Sequence, residues 1–150
     1  MHQRAKVIAS FPGTGKSWIK GNTKMSVLDC DSSKYSKKKD GSINPKFPEN
    51  YIAMIYKNIG HYDYILIACH IEVRDGLHKK GVAYSVVAPD IGLTTHYVDR
   101  YVERKSTEGF IWFMTQNWDS FITELMADNR AINTIMLARG QYLNDYINEL

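Results

Sequence analysis

Between Ser10 and Ser17 the chain reads Ser-Phe-Pro-Gly-Thr-Gly-Lys-Ser, a run of residue types suited to cradling a phosphate. It satisfies G-x-x-x-x-G-K-[ST] at its last three positions and departs at the first, where Ser10 stands for glycine. Gly13 and Gly15 allow close backbone approach, so that successive N–H groups around Thr14 converge on an anion. Lys16 then reaches the β- and γ-phosphates, the Ser17 hydroxyl suits Mg²⁺, and Trp18 opens the following helix. A dinucleotide loop would need glycine where Trp18 stands, so the expected cofactors are ATP and Mg²⁺. The bland alternative is a strand-to-helix turn that merely uses two glycines.

Carboxylates and further cations are the next requirement. Asp29-Cys30-Asp31 places two acids on one side of an extended chain: one could order Mg²⁺ through water while the other orients or deprotonates an acceptor, with Ser32 beside them. Asp31 or Ser32 can equally cap a turn. The apolar run Tyr64 to Cys69 ends in His70, with no acid where a magnesium carboxylate is usual. Arg100 and Arg104 share a helix face and, with Lys105, make residues 93–107 a candidate lid over transferring phosphate. Asp99 and Glu103 can pair with them instead. Arg74 suits an acceptor's phosphate or a surface ion pair. Lys37, Lys38 and Lys39 read as a solvated loop or as a basic segment steering a polyanion. The histidines lack metal-ligand spacing.

Strands and helices must deliver these residues. Ala5 to Ala9 reads as a strand entering the glycine loop, with a helix from Ser17 and a second strand over Ser26 to Asp31. Ser32 to Asn50, rich in lysine, glycine and proline, reads as a loop. A helix starts at Pro48-Glu49-Asn50 and stops at Gly60. Tyr64 to Cys69 reads as a covered parallel strand, Glu72 to Lys80 as a helix, and Val82 to Ala88 as a fourth strand. Thr94 or Thr95 caps a helix bearing Tyr97 and Tyr101. Phe110 to Leu125 marks a longer helix with a core-facing aromatic stripe, Ile132 to Ala138 a fifth strand, and Gln141 to Asn148 a closing helix. The expectation is an α/β fold of three layers, the P-loop NTPase type, with a five-stranded parallel sheet covered by helices on both faces. Ligands then sit outside the strands' carboxyl ends, where Gly13 to Ser17, Asp29, Asp31, His70, Asp90 and Arg139 gather.

A chain of 150 residues that is 44% hydrophobic supports one domain over residues 1–150. Nineteen basic against sixteen acidic residues give +3, too small and mixed to argue for nucleic acid. Two cysteines cannot make a disulfide framework. No apolar run reaches a membrane span and no signal-peptide core follows Met1, so a cytoplasmic protein without membrane partners is expected.

The segments Phe11 to Ser17, Leu28 to Ser33, Phe47 to Tyr51, Val73 to Asp75, Tyr97 to Arg104, Asn117 to Asp119 and Gly140 to Leu143 together resemble the small P-loop nucleotide kinases of bacteriophages, described as adenylate kinase-like or nucleoside monophosphate kinase-like. The resemblance covers nearly the whole length. It implies a five-stranded kinase core acting in a host cytoplasm, with ATP and Mg²⁺ and a small-molecule acceptor, a nucleoside monophosphate or deoxynucleotide. It also implies that Arg139 and Gly140 lie in the loop beside adenine. The D-x-D is similar to that of shikimate kinases, which implies magnesium at Asp29 and a substrate hydroxyl at Asp31. By these readings Lys16, Asp31, Arg100 and Arg104 are catalytic, and Asp31, Ser32, Arg74 and His70 bind the acceptor. A kinase of a hydroxylated metabolite and a nucleotide-binding module without turnover are the alternatives.

Overall fold

The computed structural model describes residues 2–150. In chain order the elements are β1 (Lys6–Ser10), α1 (Lys16–Gly21), β2 (Val27–Asp29), α2 (Ser33–Ser36), α3 (Glu49–Asn58), β3 (Tyr64–Ile67), α4 (Ile71–Lys79), β4 (Tyr84–Pro89), α5 (Thr94–Glu103), α6 (Glu108–Gln116), α7 (Trp118–Met126) and β5 (Asn133–Leu137). The strands form one all-parallel sheet in the order β2-β3-β1-β4-β5. The three central strands are apolar without alternation because both faces are covered. On one face Val7, Ala9, Ile65, Ile67 and Val86 meet residues of α3 to α7. On the other, Ile8, Leu66 and Val87 meet Ile19 of α1 and the C-terminal Leu143, Ile147 and Leu150.

This topology decides where a ligand can sit. The neighbours β1 and β3 send their connections to opposite faces, α1 to one and α4 to the other. A crevice therefore opens beyond their carboxyl ends, the usual ligand position in open parallel sheets.

Several boundaries depart from the sequence expectation. The long helix over Phe110 to Leu125 is two helices, because the Asn117 side chain donates to Phe113 O at 2.8 Å and closes the first one. Its aromatic stripe is not all core: Trp112 and Phe113 are exposed. The closing helix is replaced by two 3-10 turns, Leu143–Asp145 and Ile147–Glu149, which still bury Leu143, Ile147 and Leu150 on one side. The loop after β2 contains the single-turn α2. Neither threonine caps α5. Asp90 instead accepts from Gly92 N–H at 2.8 Å and caps a 3-10 turn, Ile91–Leu93, that leads into that helix.

Arg74 requires the largest correction. Its guanidinium is fully buried rather than free for an acceptor's phosphate or lying on the surface. It donates to Asp128 Oδ2 at 2.7 Å and to Cys69 O at 3.0 Å, and it also pairs with Glu124. Tyr84 OH donates to the same Asp128 oxygen at 2.7 Å. Burial opposes ionisation of Asp128, but the Tyr84, Arg74 and Arg130 N–H hydrogen bonds outweigh it and hold the carboxyl down at about 2.

Removing one partner of a buried pair strands the other charge, a cost of about 3–5 kcal/mol. Arg74→Met should therefore lower unfolding stability by about that much in urea titration at neutral pH. Because the folded pKa of Asp128 lies below its unfolded value, its contribution is complete above the ordinary carboxyl range near 4 and is lost as pH falls toward 2. Asp128→Asn should flatten the stability profile across that window, and an unchanged acid limb would refute the assignment.

Candidate functional site

The loop from Ser10 to Ser17 is shaped from outside. Lys16 Nζ donates to Ser10 O (3.2 Å), Thr14 Oγ1 to Phe11 O (2.8 Å), Tyr101 OH to Pro12 O (2.9 Å), Arg100 Nη1 to Gly13 O (2.8 Å) and Leu143 N–H to Thr14 O (2.9 Å). Five consecutive carbonyls are thus hydrogen-bonded. Gly13 and Gly15 carry φ of 91° and 95°, the left-handed region that reverses the peptide planes around Thr14. Among the described residues, the N–H groups of Gly13, Thr14, Gly15, Lys16 and Ser17 meet no protein acceptor. Consecutive unpaired N–H groups on one side of such a turn make an anion-binding concavity.

Three elements brace it. Tyr97 and Tyr101 of α5 lie within 3.1–3.4 Å of where a Cβ on Gly13 would stand, and Tyr142 lies 3.2 Å from the corresponding point on Gly15. The Arg100 guanidinium is stacked between Tyr97 and Tyr142, at 4.3 and 4.1 Å from their ring centres. The segment 93–107 is therefore a helix held by two buried tyrosines, with Arg100 built into the loop's support. Arg104 lies on the exposed side, donating to Ser106 Oγ (3.1 Å) above the rings of Tyr101 and Phe110.

The loop forms one end of a cleft of about 1280 Å³. Asp29, Asp31, Ser32 and His70 line it with Gly13, Gly15, Lys16, Ser17, Trp18, Arg100 and Arg104, so most of the residues singled out in the sequence converge there. Burial of Lys16 lowers its pKa, against the raising influence of Asp29 and Asp31. Asp31 is spent locally: Ser33 donates to it through N–H (2.9 Å) and hydroxyl (2.8 Å). Burial would raise its pKa, yet those bonds and the Lys16 and Lys34 charges hold it below the usual carboxylate range. The turn-capping alternative thus describes its contacts, and a depressed pKa makes it a weak proton acceptor. Asp29, half-buried in the same wall, makes no side-chain hydrogen bond or ion pair among the described residues. His70, its pKa lowered by desolvation and the Lys16 and Arg74 charges, approaches Ser32 Oγ at 3.3 Å and joins the ends of β2 and β3.

Arg139 and Gly140 do not line this cleft; Arg139 is exposed beyond β5 and Gly140 makes a turn at φ 78°. Asp90 lies outside it too. Lys37 alone of the lysine triplet reaches the wall. Tyr142, Glu124 and the apolar side formed by Phe110, Phe113 and Phe121 belong to the cleft but were not assigned from sequence. Tyr142 lay in a recognised segment, whereas Glu124 had no signal, being one acid in an apolar helix.

A comparison with protein-family models finds no match, and a search of curated proteins finds no relative. No helix of the described residues is long and apolar enough to cross a membrane.

An alanine at position 15 must adopt φ near 95° and press its Cβ on Tyr142, whereas at position 41, with φ 86°, nothing lies within 4 Å. Gly41→Ala therefore isolates backbone strain, about 1 kcal/mol. Gly15→Ala should lose about 1–3 kcal/mol more through overpacking. Equal denaturant midpoints for the two variants would refute the bracing role of Tyr142.

Proposed function

We propose that the protein binds the phosphates of a nucleoside triphosphate, ATP in the first instance, in the loop from Gly13 to Ser17 and transfers the terminal phosphoryl group to a small acceptor in the adjoining cleft. The observation that carries this reading is the row of hydrogen-bonded carbonyls from Ser10 to Thr14 beside N–H groups from Gly13 to Ser17 that meet no acceptor among the described residues, with Lys16 lining the cleft. Phosphoryl transfer needs charge stabilisation and alignment more than covalent help from protein.

Lys16 exchanges its bond to Ser10 O for phosphate oxygens, and its desolvated charge is worth more there than in water. Arg100 holds Gly13 in place, and Arg104 offers a cation from the far side. Mg²⁺, if bound with the phosphates, would supply charge neutralisation. Among the described residues no three His, Cys, Asp or Glu side chains are grouped to hold a metal. Ser17 with Asp29, which lacks a protein partner, fits an ion that takes most of its ligands from phosphate and water. The resemblance of the chain to phage nucleotide kinases points the same way.

A second reading, a nucleotide-binding module without turnover, draws support from Ala68, Cys69 and His70 following β3 without an acid, and from Arg74 being withdrawn into its buried pairs. It requires firm Mg-ATP binding with no product.

Lys16→Met tests the main reading. Phosphoryl transfer should fall by a factor of roughly 10² to 10³, the loss expected for one preorganised charge-stabilising group, and Mg-ATP affinity measured by calorimetry should fall with it. Because the folded pKa of Lys16 lies below 10.5, its charged form opposes folding at neutral pH, an effect that vanishes as pH rises past the unfolded value. The variant should thus melt no lower than wild type at pH 7. Wild-type turnover in a folded variant would overturn the assignment.

A further inference from the structure

The carboxylate missing from the end of β3 is supplied from another element. Arg74 Nε donates to Cys69 O at 3.0 Å, just past that strand, and the same guanidinium holds Glu124 of α7. Asp128, wholly covered, already balances the Arg74 charge. Glu124 keeps 39% of its side chain accessible and lines the same cleft as the Lys16 loop. Arg74 is thus a positioning residue that presents an acid beside the strand end.

The remaining wall has matching chemistry. Beyond the phosphate loop, Asp29, Asp31, Glu72, Glu103 and Glu124 face the cleft against Lys37, Arg100 and Arg104. A dianionic phosphate ester entering there meets a surplus of like charge. An uncharged alcohol finds acceptors for its hydroxyls, and Phe110, Phe113 and Phe121 give a surface for a flat or aliphatic body.

We infer that Glu124 is the catalytic carboxylate of the acceptor side, and that the acceptor is an uncharged hydroxyl compound of nucleoside size rather than a nucleotide phosphate. This rests on the phosphotransferase reading above. In the step, the acceptor hydroxyl oxygen bonds to the γ-phosphorus as the bond from that phosphorus to the β–γ bridging oxygen breaks. The nucleoside diphosphate leaves with the bridging oxygen's electron pair, and the hydroxyl proton passes to Glu124 and then to solvent.

The experiment supplies full-length protein and Mg-ATP with two acceptor panels, uncharged alcohols including nucleosides, and nucleoside monophosphates, and follows products by mass spectrometry. Phosphoesters of the alcohols are expected. Glu124→Gln should lower kcat on them by about a hundredfold or more with Mg-ATP affinity unchanged by calorimetry. Glu124→Asp, which keeps a charge for Arg74 but withdraws the carboxylate, should also lose kcat, so the inference does not depend on the glutamine variant folding. Diphosphates from the monophosphate panel with the alcohols inert would overturn the inference and leave the phosphotransferase reading standing. So would wild-type kcat in either variant, or a loss of Mg-ATP affinity in step with turnover, which would make Glu124 part of the metal site. Mg-ATP binding without product from either panel overturns it in favour of the binding module. Absence of Mg-ATP binding to the wild-type protein overturns both readings together.

Discussion

A backbone loop can offer its N–H groups to an anion only if its carbonyls are satisfied elsewhere, since otherwise they turn inward and repel it. Here all five carbonyls from Ser10 to Thr14 have donors, three of them from outside the loop. Those donors come from α5, from the turn after β5 and from the loop itself, so the loop's shape depends on elements that are distant in sequence. The buried α5 tyrosines fix the Gly13 end, and Tyr142 with Leu143 fixes the Gly15 end. Packing of the sheet's two faces is thereby coupled to the geometry of one turn.

Arg100 belongs to this coupling. Stacked between Tyr97 and Tyr142 and bonded to Gly13 O, it joins helix, loop and C-terminal turn through one planar cation. Such stacking contributes roughly 0.5–2 kcal/mol per ring depending on exposure, more than a freely moving lid residue would gain. Arg104, one turn further along the same face, lies exposed over the rim of the cleft. The two arginines share a helix face but divide into a support and a cation that has no ion pair among the described residues.

The fold was legible in the sequence wherever a local rule sufficed. Apolar runs without alternation marked the central strands, and the run Gly13 to Ser17 marked the two glycines that take left-handed φ and the lysine that lines the cleft. Asn117 was not legible as a break, because its side chain bonds a carbonyl four residues back only after α6 has formed. Leu143, Ile147 and Leu150 carry a spacing that α-helix and successive 3-10 turns both satisfy. Arg74 misled because its residue type and position suit phosphate, while its partners, Glu124 and Asp128, lie 50 and 54 residues away and reach it only through α4–α7 packing.

The same withdrawal of Arg74 separates two roles that the sequence had merged in one residue. A cation free at the strand end would favour an anion; a cation buried beneath a carboxylate leaves that carboxylate facing the cleft instead. Neutralisation by Asp128 permits that arrangement, for without it the Glu124 charge would be absorbed in a buried pair. Asp128 in turn depends on Tyr84 of β4 and the Arg130 N–H next to β5, which supply the remaining hydrogen bonds a buried carboxylate requires. The carboxylate that α7 presents to the cleft is therefore held in place by the interior of the α7–β4 layer, behind the cleft wall.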